Sequence, residues 1–292
     1  MTFKLCPACL VAVLIPVLNL RPSHAADPRI FSDIEYASID GQSLKLDLYL
    51  PEIKHPALVV WVHGGAWRGG SKSEGVPSAK FVAAGYAVAS VDYRLSPIAP
   101  FPAQIHDIKA AVRFLRARAG DYGFDPTRMA IAGSSAGGHL AALAGVTNNH
   151  KELEGTVGND RNQSSEVRAI VSLYGASNLM TILAQSQPKG LQMRVPALQL
   201  LLGGQPKDKP NLARLASPVA HVDAGDPPLL LIHGDADPQM PPEQSHELAA
   251  AYTKAGASVT LEIIPGAVHG GTQFYDPRRF YLIRRFLDEA LR

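Results

Sequence analysis

The chain has 292 residues, 46% hydrophobic and 18% charged, which is enough apolar side chain for the core of one large domain and excludes a disordered chain. A formal net charge of +2 offers no electrostatic footprint for nucleic acid. No clean apolar run reaches the roughly 18 residues that a permanent membrane span needs.

In chain order, the first feature is a leader. Lys4 is the only charge before an apolar stretch from Leu5 to Leu20, and Ser23-His24-Ala25 sets small residues ahead of a cut at Ala25-Ala26. This is the layout of a secretory signal peptide. Pro7, Pro16 and Asn19 interrupt the stretch, which argues against an anchor. Cys6 and Cys9 precede most of it, whereas a lipid-bearing cysteine should follow. The expectation is a signal peptide over 1–25 and a single domain over 26–292, exported to the periplasm or beyond. Both cysteines leave with the leader, as suits an oxidising space. So do Lys4 and Arg21, two of 28 basic residues, leaving 26 against 26 acidic.

From Ile30 onward the pattern alternates between strand and helix. Leu44, Leu46, Leu48 and Leu50 alternate with Lys45, Asp47 and Tyr49, a half-exposed strand stopped by Pro51. Unbroken apolar runs at Ala57–Val62 and Ala87–Val91 read as central strands covered on both faces, with a short helix over 79–84 between them. Ile105, Ile108, Val112 and Leu115 have helical spacing, with Lys109, Arg113 and Arg116 on the other side. A strand over 129–132 leads through Gly133 into a small-residue helix over 136–144. Further apolar strands follow at 169–174, 229–232 and 259–264, and an amphipathic helix over 280–291 closes the chain. Such alternation predicts a mostly parallel sheet with helices on both faces. Two segments break the rhythm: a polar surface loop over 148–166, and 178–228, which has five prolines before its last two residues, short helical patches and no aromatic residue. The latter reads as an inserted lid, too small for a core of its own.

Chemistry concentrates at strand ends. Gly133-Ser134-Ser135-Ala136-Gly137 is a G-x-S-x-G between strand and helix, where a serine hydroxyl is exposed on a strained turn that flanking glycines relieve. Such a serine needs a base oriented by a third group. Of ten histidines, His269 is best placed, in a Gly-rich loop between the last strand and the final helix. His139, in the helix after Ser135, reads as a support for the turn. His233-Gly234-Asp235-Ala236-Asp237-Pro238 supplies two candidate acids, Asp235 and Asp237, giving the chain order serine, acid, histidine. His63-Gly64-Gly65-Ala66-Trp67 offers backbone that can approach a developing oxyanion, and the Ala136 N–H is the second expected donor. Donors of this kind contribute about 3–4 kcal/mol each. No H-E-x-x-H or comparable cluster calls for a metal, and no cofactor is expected.

The set Leu46-Asp47-Leu48-Tyr49-Leu50-Pro51, His63-Gly64-Gly65-Ala66-Trp67, Asp92-Tyr93-Arg94-Leu95, Phe101-Pro102-Ala103-Gln104-Ile105-His106-Asp107, Gly133 to His139 and His233 to Pro241 covers most of the chain after the leader. It resembles the α/β-hydrolase-fold carboxylesterases related to hormone-sensitive lipase, closest to the bacterial group of bifunctional acetylxylan/feruloyl esterases. The resemblance implies an α/β-hydrolase fold with a small inserted lid and a Ser135–Asp237–His269 triad, the acid being Asp237 rather than Asp235. It also implies oxyanion amides at Gly64 and Gly65. Ala66 departs from the family's frequent third glycine, and Met240 from its commoner valine. Asp92, Arg94 and Asp107 read as a structural charge network, and Trp67, Phe274 and Tyr275 as pocket lining. The implied function is hydrolysis of short-chain, aryl or acetyl esters, either small molecules or linked to polysaccharide, with no nucleic-acid partner and no membrane span after leader removal. An arylformamidase or amidase on the same triad, or a non-catalytic ligand-binding member of the fold, are the alternatives.

Overall fold

The computed structural model describes Met1, Thr2 and residues 28–292. The leader, both cysteines and the Ala25-Ala26 cut lie outside the described residues. The elements run β1 (Arg29–Ile39), β2 (Gln42–Leu50), β3 (Leu58–Val62), α1 (Ser78–Ala83), β4 (Ala87–Val91), α2 (Ala103–Ala117), α3 (Ala119–Tyr122), β5 (Met129–Ser134), α4 (Ala136–Gly145), α5 (Lys151–Glu154) and β6 (Ala169–Leu173). Then come α6 (Ile182–Gln185), α7 (Pro188–Leu202), α8 (Pro210–Leu215), β7 (Leu229–Gly234), α9 (Glu243–Ala255), β8 (Val259–Ile264) and α10 (Pro277–Ala290). The eight strands form one sheet in the order β1-β2-β4-β3-β5-β6-β7-β8. The β1–β2 and β2–β4 pairs are antiparallel and every other pair is parallel.

The period-2 pattern explains the two-sided core. Along β3, Leu58, Val60 and Val62 pack with Leu140 of α4 and Ile105 of α2 on one face, while Val59 and Trp61 pack with Phe81 of α1 and Ile283 of α10 on the other. The chain runs outward from β3 to β4 and then back across β3 to β5. Between the C-terminal ends of β3 and β5 the order reverses, and a crevice opens there.

Two expectations need correction. Lys109 and Arg113 do not face solvent: Lys109 is fully buried, and the 148–166 segment covers it. That segment contains α5 and delivers Glu154 onto both cations, at 2.6 Å from Lys109 Nζ and 2.9 Å from Arg113 Nη1. Helical spacing locates a polar stripe but does not tell whether water or a carboxylate meets it. Within 178–228, α7 is a continuous 15-residue helix despite Pro196 in its interior. Gly190, Arg194, Ala197, Leu198 and Leu201 are buried at helical spacing, and that burial outweighs the local cost of the proline.

Candidate active site

Ser135 follows β5 directly, with φ 55° and ψ −120°, a left-handed backbone that costs an L residue energy and persists only when its surroundings enforce it. Here they do. Its N–H donates to Leu173 O at 2.9 Å and its carbonyl accepts from His139 N at 3.0 Å. A Cβ on Gly137 would sit inside the Val62 and His63 carbonyl oxygens, and one on Gly133 inside the Gly137 carbonyl. The Ser135 turn therefore presses on β3, and only glycine fits on either side of it.

Ser135 Oγ donates to His269 Nε2 at 2.8 Å, and His269 Nδ1 donates to Asp237 Oδ2 at 2.6 Å. His269 comes from the loop after β8 and Asp237 from the loop after β7, so the three groups leave three strands at one edge of the sheet. Asp237 is 5% exposed. Its Oδ1 accepts from Gln239 N at 2.8 Å and Met240 N at 2.9 Å. Burial alone would raise its pKa, but hydrogen bonding to His233 and His269 and the Met240 amide outweigh that and hold the carboxyl well below its ordinary range. Asp235 goes elsewhere: it is exposed and accepts from Gly266 N at 2.6 Å. His233, also fully buried, accepts from Ser245 Oγ at 2.7 Å and turns Nε2 toward Met240 O at 3.1 Å, so it supports the loop that carries Asp237.

Gly64 lies against the serine turn, where a Cβ would stand 3.0 Å from Ser134 O and 3.4 Å from Ser135 Cβ. Gly65, Ala66 and Trp67 all have positive φ (110°, 53° and 61°). The loop is held by Gly69 N and Arg68 N donating to Gly65 O, and by His63 Nδ1 donating to Gly64 O at 2.7 Å. The His63 ring stacks on Tyr93 at 4.3 Å, and burial lowers its pKa. Ala136 opens α4 beside Ser135 and is buried, and Gly65 lines the same cleft as Ser135. Arg94 makes a bidentate pair with Asp107 (Nη2–Oδ1 2.7 Å), and Asp92 Oδ1 accepts from Lys72 N, beneath these loops.

A cleft of about 390 Å³ opens over Ser135 and His269, walled by Gly65, Ala66, Arg68, Tyr174, Met193 and Gln239. Trp67, Phe274 and Tyr275 do not form its lining, contrary to expectation. Trp67 is fully buried and donates from Nε1 to His139 Nδ1 at 3.0 Å. Phe274 is fully buried under Tyr174. Tyr275 packs on Trp61 and faces a separate groove with Val76 and Pro77. Aromatic content near a motif says nothing about which side of the backbone a ring takes. Tyr174, Arg68 and Gln239 were not singled out from the sequence. Tyr174 had a usable signal, since it directly follows a parallel strand at the same sheet edge as Ser135. Its ring meets His269 edge-on at 4.7 Å. Among the described residues no group of three or more His, Cys, Asp or Glu side chains could hold a metal, and no helix is long and apolar enough to cross a membrane.

The BD-FAE family model matches residues 46–252. Esterase LipQ of Mycobacterium tuberculosis is 32% identical over 82% of this chain and 56% of its own. The chain spans about half the length of the curated relatives it matches first. A solved truncated form of a carbohydrate esterase from gut microbiota superposes with a TM-score of 0.83 at 35% identity, covering 92% of this chain and 98% of its own. The propionate-bound esterase Est2 of Thermogutta terrifontis gives 0.72 at 28%, covering 92% and 96%.

Proposed function

The chain belongs to the BD-FAE family of α/β-hydrolase esterases, and from that premise we propose that it is a serine carboxylesterase working through an acyl-enzyme on short-chain, acetyl or aryl esters. The observation that carries the reading is the hydrogen-bonded line Ser135 Oγ–His269–Asp237 at 2.8 and 2.6 Å, with Ser135 and His269 lining a cleft that Gly65 also walls. His269 Nε2 takes the hydroxyl proton as Oγ attacks the ester carbonyl, and Asp237 stabilises the imidazolium and fixes its tautomer. The Gly64, Gly65 and Ala136 amides receive the oxyanion. His269 then protonates the leaving alcohol, and water repeats the sequence on the acyl-enzyme. The modest cleft volume, with Ala66 at its wall, and the propionate held by the Est2 relative support a short acyl group.

With p-nitrophenyl acetate the protein should release a burst of nitrophenol, and Ser135→Ala should lose on the order of 10⁴-fold or more in rate. Folded protein that turns over no ester in a panel of nitrophenyl acyl esters, methyl ferulate and acetylated xylan would end the reading. The proposal also has the chain exported with its mature start at Ala26, which an intact mass retaining Met1 in the exported protein would refute.

A further inference from the structure

The cleft carries a charge for which the hydrolytic steps have no use. Arg68 is the only lining residue with a permanent charge. It is exposed, three positions past Gly65, and forms no ion pair among the described residues. A second guanidinium stands behind the same wall. Arg194 of α7 is 0% exposed, and its Nη2 and Nε donate to Gln239 O at 3.0 and 3.3 Å. Its guanidinium lies 5.8 Å from the Trp67 ring centroid, and Nη1 has no partner among the described residues.

Other buried cations in this chain meet a carboxylate: Lys109 and Arg113 meet Glu154, and Lys72 meets Asp47. The two arginines at the cleft do not. The nearby carboxylate of Asp237 makes its hydrogen bonds to His269 and to the Gln239 and Met240 amides and acts on Arg194 only through its charge. Asp235 and Glu243 line a different depression, beyond Gln239. The Asp237 charge acts on Arg194, which leaves Arg68 as the cation on the cleft wall with no carboxylate against it among the described residues. A planar fork at its mouth suits bidentate capture of a carboxylate, and partial desolvation in a cleft strengthens such a bond.

Resting on the esterase reading above, we propose that Arg68 is a specificity residue for an anion: the preferred ester bears a carboxylate in its acyl or its alcohol half, which docks on the Arg68 fork. Arg194 stays fixed behind the wall, where it holds the Gln239 carbonyl.

Matched ester pairs test this and separate the two halves. On the alcohol side the pair is 3-acetoxybenzoate and 3-acetoxybenzamide; on the acyl side it is monomethyl succinate and methyl succinamate. Wild type should favour the anionic member of one pair about 10-fold or more in kcat/KM, mainly through KM. Raising NaCl from about 0.05 to about 0.5 M should shrink that ratio. Arg68→Gln should bring it near 1, Arg68→Lys should retain part of it, and Arg68→Glu should invert it. Because each ratio is internal to one preparation, partial misfolding of a variant cancels. A wild-type ratio near 1 for both pairs, or one that Arg68→Gln leaves unchanged, overturns the anion site while hydrolysis stands. No turnover of these four esters or of p-nitrophenyl acetate overturns the esterase reading and this proposal with it.

Discussion

Asp235 and Asp237 leave the same strand, yet only Asp237 aims its carboxylate at an imidazole. Asp237→Asn should therefore reduce kcat by on the order of 10³–10⁴-fold, by presenting His269 with the wrong partner. Asp235→Asn should cost less than about 10-fold, and a reversed order in steady-state kinetics would reassign the acid. His139 poses a different residue-scale question. It accepts from Trp67 Nε1 and donates to Ala216 O at 2.7 Å, so protonation would set one N–H against another. Burial pushes its pKa down to about 4, the Ala216 carbonyl opposing and Arg194 assisting. Between its ordinary value near 6.5 and about 4 the unfolded chain binds a proton that the native state refuses, so stability falls as pH falls through that window. The loss should reach about 3 kcal/mol and then level off below pH 4. Urea titrations at pH 7.5, 5.5 and 4.5 should show wild type losing more than His139→Gln, whereas parallel pH slopes would remove His139 as the cause.

At the scale of elements, side-chain bonds tie together the loops and helices around the site. His139 joins helix α4 to the Gly64–Trp67 loop through Trp67 and to the 178–228 insertion through Ala216. Arg194 joins α7 to the acid loop through Gln239 O. The insertion packs its own buried face, Leu198 and Leu201, onto the core, and only Met193 from it lines the cleft. On α2, the covering segment 148–166 is pinned by Glu154. Glu154→Gln keeps the shape but leaves Lys109 and Arg113 without a counter-charge, and breaking a buried pair in this way costs about 3 kcal/mol or more. Urea unfolding should show that loss, with thermolysin cutting within 148–166 first. A change below about 1 kcal/mol would mean that water already screens the group.

For the whole molecule, stability comes from one sheet buried on both faces, with the two core clusters meeting across β3 and β5. The only cysteines are at positions 6 and 9, and residues 28–292 contain no thiol or disulfide. The thermal midpoint of residues 28–292 should be the same with and without dithiothreitol, within about 1 °C, since no cross-link constrains the unfolded chain. A clear shift in calorimetry would overturn that account. The sheet order also fixes where chemistry can occur. Reversal at β3 opens a crevice, and Ser135 and His269, from the loops after β5 and β8, line the cleft, with Asp237 bonded to His269.

The α/β architecture and the strands from β2 onward were legible in the chain because apolar periodicity reflects burial one residue at a time. The Gly133–Gly137 turn was legible because its strain is local, so the residues that relieve it are neighbours in sequence. By residue type alone Asp235 and Asp237 were equivalent, and the family resemblance favoured Asp237; tertiary structure brought that carboxylate to His269. Folding also buried Trp67 against His139, put Glu154 onto Lys109, and set Arg68 and Arg194 in and behind one wall of the cleft. Those pairings join residues 45 to 126 positions apart, and which of them meet depends on the order in which the sheet lays its strands, a property that no local window of sequence contains.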